Sequence, residues 1–167
     1  MNLSDEALGG MPLGMLDDVA DELAEHGFVV VEHALPPSLL ADLQTRIAAL
    51  SDEEWQVASV GRDESQVQTA AIRSDRISWL TSSNTVEKDY LCFMENVREG
   101  LNECLFLGLF DFESYFATFS KGAFYQKHVD ALKGRTNRRV STVLYLNDDW
   151  QEHEGRSANV CRGPVRK

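Results

Sequence analysis

Bases are scarce in the first third of this chain. Residues 1–60 hold twelve acids against one base, Arg46, and so account for the whole formal net charge of −11. A surface of that sign repels phosphate backbones, which argues against nucleic acid as a partner. Cysteines number only three, Cys92, Cys104 and Cys161, widely spaced and odd in count. They form neither a disulfide framework nor a CxxC zinc pattern, and they suit a reducing compartment such as the cytoplasm. No apolar run approaches the roughly 18 residues that cross a bilayer, so no membrane helix is expected. The first ten residues are acidic and lack the basic-then-apolar layout of a signal peptide. Also absent are a GxSxG elbow, a P-loop, an HExxH pair and a GxGxxG turn. Acids cluster at Asp148, Asp149, Glu152 and Glu154, but without the spacing and glycine of a calcium loop.

What is present can build a core. Apolar residues make up 43% of the 167 positions, enough for one domain of ordinary size. Residues 1–13 read as a loose lead-in. Leu16, Val19, Ala20 and Leu23 then share one helical face, and Gly27 is a natural stop. The β-branched run 28–31 predicts a strand. Pro36-Pro37-Ser38 opens a second helix with Leu39, Leu43, Ile47 and Leu50 on one side. Residues 51–84 are polar and irregular apart from 72–80. Asn84 and Glu87 stand at capping-box spacing before a third helix. Its apolar period runs through Tyr90, Met94, Val97, Leu101, Cys104 and Leu105 to a stop at Gly108. Strands follow at 115–119, 124–130 and, with the clearest pattern, 140–146, which closes on the turn signal Asn147-Asp148-Asp149. Helices first and strands afterwards predict an α+β fold with helices packed outside a mostly antiparallel sheet. From Arg156 onward there are four bases, no acids and no period.

The sharpest chemical feature is His128-Val129-Asp130. On a strand, residues two apart point to the same face, so an imidazole and a carboxylate would stand side by side. Two histidines and one carboxylate on one face of a metal form the facial triad of non-heme Fe(II) oxygenases. On spacing alone, a surface histidine beside a solvated aspartate remains an alternative.

The neighbouring runs carry a resemblance. The segment Phe119-Ser120-Lys121-Gly122-Ala123-Phe124-Tyr125-Gln126-Lys127-His128-Val129-Asp130 resembles the approach to the metal site in prolyl 4-hydroxylase-type 2-oxoglutarate/Fe(II) dioxygenases. Arg138 to Trp150, with Ser141-Thr142-Val143-Leu144-Tyr145-Leu146 at its centre, is similar to the strand and turn that follow it there. Ile72-Arg73-Ser74-Asp75-Arg76-Ile77-Ser78-Trp79 is similar to a third signature, that of the egl-nine (hypoxia-factor prolyl hydroxylase) branch and its bacterial relatives. The resemblance covers roughly residues 15–155. It implies a double-stranded β-helix, a jelly-roll flanked by N-terminal helices. It implies Fe(II), the cosubstrate 2-oxoglutarate and O₂, with ascorbate keeping iron reduced. The reaction it implies is C–H hydroxylation, on a prolyl residue of a protein or peptide substrate, with release of succinate and CO₂. His128 and Asp130 match the first two iron ligands, and Tyr145 matches a tyrosine whose hydroxyl reaches the distal carboxylate of 2-oxoglutarate. Arg73, Asp75 and Arg76 match a substrate-loop or structural role. Where the family often has a second tyrosine, this chain has Phe119.

The pattern breaks after residue 155. The family's third iron ligand is a histidine several tens of residues beyond the HxD pair, with an Arg or Lys for 2-oxoglutarate shortly after it. Here the only later histidine is His153, directly after the turn, a poor stand-in for a ligand on a distant strand. The family continues past Gly155 with a strand resembling Gly-x-Leu-Arg-x-Tyr. Arg156 to Cys161 can be encoded so that a one-base shift reads Gly-Leu-Arg-Met-Tyr. The expectation is therefore an oxygenase domain over 14–155 whose C-terminal strands are missing, followed by an out-of-frame tail over 156–167. Two rival readings stay open. One is a catalytically dead fragment or binding module that keeps only the substrate-facing surface. The other is a different metal enzyme built on His128, Asp130 and His153. For single residues, Tyr145 reads equally as a core aromatic. Asp75 reads as a solvated loop pair with its arginine neighbours, and Trp55, Trp79 and Trp150 read as packing residues.

Overall fold

The computed structural model describes residues 11–58, 73–126 and 139–147. His128, Asp130, His153, Trp150 and the segment 156–167 lie outside the described residues.

Three helices form one layer. Helix α1 spans Leu13–His26 and ends on Gly27, whose φ of 75° and N–H bond to the Leu23 carbonyl make the left-handed cap expected of glycine. Helix α2 spans Pro37–Ala48, with proline in its first turn, where its missing N–H goes unused. A 3₁₀ turn at Asp52–Glu54 and a short strand β1, Gln56–Val57, follow. Strand β2 is Arg76–Trp79. Helix α3 runs from Thr85 to Leu105, and strand β3 is Tyr115–Thr118. Both α1 and α2 pack on α3. Their shared core holds Leu16, Val19, Ala20, Leu43, Tyr90, Phe93, Met94, Val97 and Leu101. Phe93 was not on the expected face, while Cys104, which was, is exposed. α1 crosses α3 closely enough that a Cβ on Gly100 would run into the Leu16 side chain.

The start of α3 departs from a capping box. The Asn84 side chain accepts from the Val86 and Glu87 amides at 3.0 and 3.2 Å, as expected of an N-cap. Glu87 does not bond back to Asn84. Its buried carboxylate accepts from the Thr81 amide and from Arg46 Nε on α2, each at 2.8 Å. A longer-range arginine outcompeted the local cap. The end of α3 also differs. It stops at Leu105, and Phe106 takes the left-handed cap conformation at φ 52°, two residues before Gly108. The Asn102 side chain explains this. It bonds the Leu109 amide and carbonyl, both at 2.7 Å, while Arg98 Nη1 also donates to that carbonyl. The chain is folded back on the helix before Gly108 can act.

The sheet is antiparallel in the order β1-β2-β3, with Ser78 opposite Phe116 and Trp79 opposite Tyr115. Phe116 belongs to the helix-packed core, whereas Ile77, one position off, is buried outside that cluster. The sheet therefore has two faces, one against helices and one carrying Ile77, Trp79, Tyr115 and Ala117.

Two expected strands form no ladder among the described residues. In 28–31, Val29 and Val31 pack on the core while Val30 is exposed. In 140–146, Leu144 and Leu146 pack on the same core while Val143 and Tyr145 are exposed. Gln44 Nε2 on α2 donates to the Leu146 carbonyl at 3.1 Å. The period of two is obeyed in both, but alternation reports which face is buried and not whether a neighbour pairs with the edge. What is described is thus a helical layer on a three-stranded antiparallel sheet, less than the full jelly-roll expected.

Candidate functional site

The described part of the site is the approach to the HxD motif and the segment that holds it. β3 runs out through Phe119 into a tight turn, where the Ala123 amide bonds the Ser120 carbonyl at 2.7 Å and Gly122 supplies a φ of 85°. Beyond the turn the chain resumes antiparallel pairing, with Tyr125 bridged to Arg73. Ser74 closes this contact twice: its amide donates to the Phe124 carbonyl at 3.0 Å, and its Oγ accepts from the Phe124 amide at 3.1 Å. His128 and Asp130 come three and five residues after Tyr125 in the sequence.

Arg73 and Asp75 are not a solvated loop pair. Asp75 is 1% exposed and Arg73 8%. The guanidinium meets the carboxylate through two parallel bonds, Nε to Oδ1 at 2.7 Å and Nη2 to Oδ2 at 2.5 Å. This fork-to-fork arrangement is the strong form of the arginine–carboxylate pair. The Asp75 hydrogen bonds, with a smaller contribution from the Tyr115 oxygen, push the Arg73 pKa up even though burial opposes them. The same guanidinium lies 4.3 Å from the centre of the Tyr125 ring, a cation–π contact. Arg76 stands apart from this pair. It reaches Asp52 at 3.1 Å, sits over the Trp55 ring and is partly exposed. Tyr145 is 54% exposed and is not a core residue, and Phe119, also exposed, offers no hydroxyl.

Sequence reasoning missed three contributors. Tyr125 and Ser74 lie inside the runs that carry the resemblance, but nothing in their spacing announced a contact across some fifty positions. Tyr115 is one of several aromatic positions in a strand, and only its place beside Trp79, with ring centres 5.1 Å apart, distinguishes it.

Among the described residues no three His, Cys, Asp or Glu side chains could share a metal, and no helix is long and apolar enough to cross a membrane. The donor chemistry of His128 and Asp130, one imidazole and one carboxylate, fits two of the three positions of a non-heme iron triad.

A family model for the 2OG-Fe(II) oxygenase superfamily matches residues 112–165. Among solved structures, the chain is similar to a Pseudomonas putida prolyl-4-hydroxylase. The two are 38% identical over 83% of this chain and 71% of that one, with a TM-score of 0.73. The chain belongs to the prolyl-4-hydroxylase-like 2OG-Fe(II) oxygenases. It is by family a dioxygenase, and that family implies Fe(II) and 2-oxoglutarate. No curated protein matches the chain at a significant level.

Proposed function

We propose that this oxygenase hydroxylates a C–H bond of a prolyl residue in a protein or peptide. In that reaction 2-oxoglutarate and O₂ are consumed, succinate and CO₂ are released, and the prolyl carbon gains the hydroxyl. The observation that carries the reading is the segment pinned by Arg73 and Ser74, which in the sequence leads straight into His128-Val129-Asp130, in a chain 38% identical to a prolyl-4-hydroxylase. Fe(II) and 2-oxoglutarate supply the oxidising chemistry when bound, with ascorbate maintaining the iron. In this reading the His128 imidazole and the Asp130 carboxylate hold the iron, and the Tyr145 hydroxyl donates to the distal carboxylate of 2-oxoglutarate. Tyr145 alternates with Leu144 and Leu146, which are packed on the helices, so its ring is on the other side of the segment from the core. Arg76, partly exposed beside the buried pair, is the member of the 73–76 run best able to meet substrate. The oxygenase domain spans 14–155 in a cytoplasmic protein, and the full domain is a double-stranded β-helix.

A second reading is a binding module that keeps the substrate-facing surface without turnover. Phe119, where the resemblance leads one to expect a second tyrosine, supports it by lacking that hydroxyl. The deciding experiment couples succinate release to hydroxylation of proline-containing peptides, with His128→Ala and Asp130→Ala as controls. Succinate formed in step with hydroxyproline, and lost in both variants, supports the enzyme. Peptide binding without succinate supports the module.

A further inference from the structure

We propose that Arg73, Asp75 and Tyr125 are positioning residues for the metal motif. Together with Ser74 they fix the backbone of residues 124–125 and so set where the chain enters His128-Val129-Asp130. The inference rests on the reading that His128 and Asp130 hold the metal.

Asp75 is buried, and both its oxygens are spent on Arg73, two residues away. A pair this local joins no distant elements by itself. What it does is hold one guanidinium at a fixed place and angle. The face of that guanidinium carries the Tyr125 ring at 4.3 Å, and the Arg73 backbone bridges to Tyr125. Ser74, between the two charged residues, bonds Phe124 through both its amide and its hydroxyl. Arg73 and Ser74, with Asp75 holding Arg73 in place, thus grip two consecutive residues of the incoming segment. On the upstream side the segment is released from β3 by the Ser120–Ala123 turn and its left-handed Gly122. The grip therefore supplies a register that β3, interrupted at the turn, no longer imposes. Three residues span at most about 10 Å, so a shift at Tyr125 is carried into the motif with little chain to absorb it. Metal ligands need placement within about 0.5 Å, and loss of the groups that orient them costs about 10- to 100-fold in metal affinity.

The test uses the full chain and Co(II) in place of Fe(II), because Co(II) reports its ligand geometry through its visible absorption. Tyr125→Leu removes the ring from Arg73, and Tyr125→Phe keeps it. We expect Tyr125→Leu to weaken Co(II) binding about tenfold or more and to shift the absorption bands, with far-ultraviolet circular dichroism unchanged. Tyr125→Phe should stay nearer to wild type. Ser74→Ala, an exposed position, should fall between them. Asp75→Asn should have the largest effect, and should it fail to fold, the Tyr125 and Ser74 variants decide the matter. Wild-type affinity and spectrum in folded Tyr125→Leu would overturn the proposal. So would a change confined to peptide KM with metal binding intact, which would assign these residues to the substrate surface. His128→Ala separates the two levels. If it binds Co(II) as wild type does, the metal assignment itself fails and the proposal falls with it. If it abolishes binding while Tyr125→Leu does not weaken it, the positioning alone is wrong.

Discussion

Two arginine–carboxylate pairs, one half-buried and one buried, hold different parts of this molecule, and they are built differently. Arg46–Glu87 joins α2 to the start of α3 across 41 positions, and its acid also caps the Thr81 amide. Arg73–Asp75 joins residues two apart and passes its hold to Tyr125. Arg46 has a second partner, the exposed Glu54 at 2.6 Å, whereas the Arg73 guanidinium lies beneath the surface. The first pair couples elements and can be damaged gradually. The second is closed and buried, so breaking it leaves the Arg73 charge without its bidentate partner.

The largest effect should therefore come from Asp75→Ala. It leaves the Arg73 guanidinium buried without its bidentate partner and should cost about 3–5 kcal/mol of unfolding free energy, measured by urea denaturation. Glu87→Ala should cost less, about 2–3 kcal/mol, because Arg46 keeps Glu54. An equal or larger loss than in Asp75→Ala would reverse the ranking. Asn84→Ala removes the α3 cap and leaves the Glu87 bonds standing. It should cost about 1 kcal/mol, and its effect should not add fully to that of Glu87→Ala, since both act on the same turn.

The smallest effect is one of pH. The Glu54 carboxyl is held down to about 2 from 4.5, first by its hydrogen bond to Arg46 and then by the Ser51 amide. A carboxyl lowered in the folded state contributes stability that is present above its unfolded value and is lost as pH falls from 4.5 toward 2. Glu54→Gln should flatten that part of the acid unfolding curve and leave stability near neutrality little changed, because Glu54 is solvent-exposed. A Glu54→Gln curve parallel to wild type would show that the contact is not held in solution.

Helices were legible because their signals are local. The Leu16–Leu23 face with its Gly27 stop, the prolines before α2 and the Asn84 cap each lie within one or two turns, and all three stand as expected. The ends that moved were decided by distant or bulky partners. Glu87 found Arg46 instead of Asn84, and Asn102 bound Leu109 before Gly108 was reached. The strands at 28–31 and 140–146 showed their buried faces in the alternation of Val29, Val31, Leu144 and Leu146. Pairing depends on a second chain segment that periodicity does not encode. At the site, the motif His128-Val129-Asp130 and the run from Arg73 to Trp79 were visible as patterns. That Arg73 lies on Tyr125 was not, since a cation–π contact across 52 positions leaves no mark in spacing.

By itself, then, the sequence determined the three helices, most of their inward positions, the acidic N-terminal third and the motif His128-Val129-Asp130. All of these follow from local propensity, period and composition. Only the tertiary structure decided which arginine serves which acid, that Asp75 is buried and Tyr145 exposed, and which residues grip the approach to His128-Val129-Asp130. Burial and ion pairing are set by what packs alongside, and those neighbours come from chain positions that sequence spacing cannot bring together.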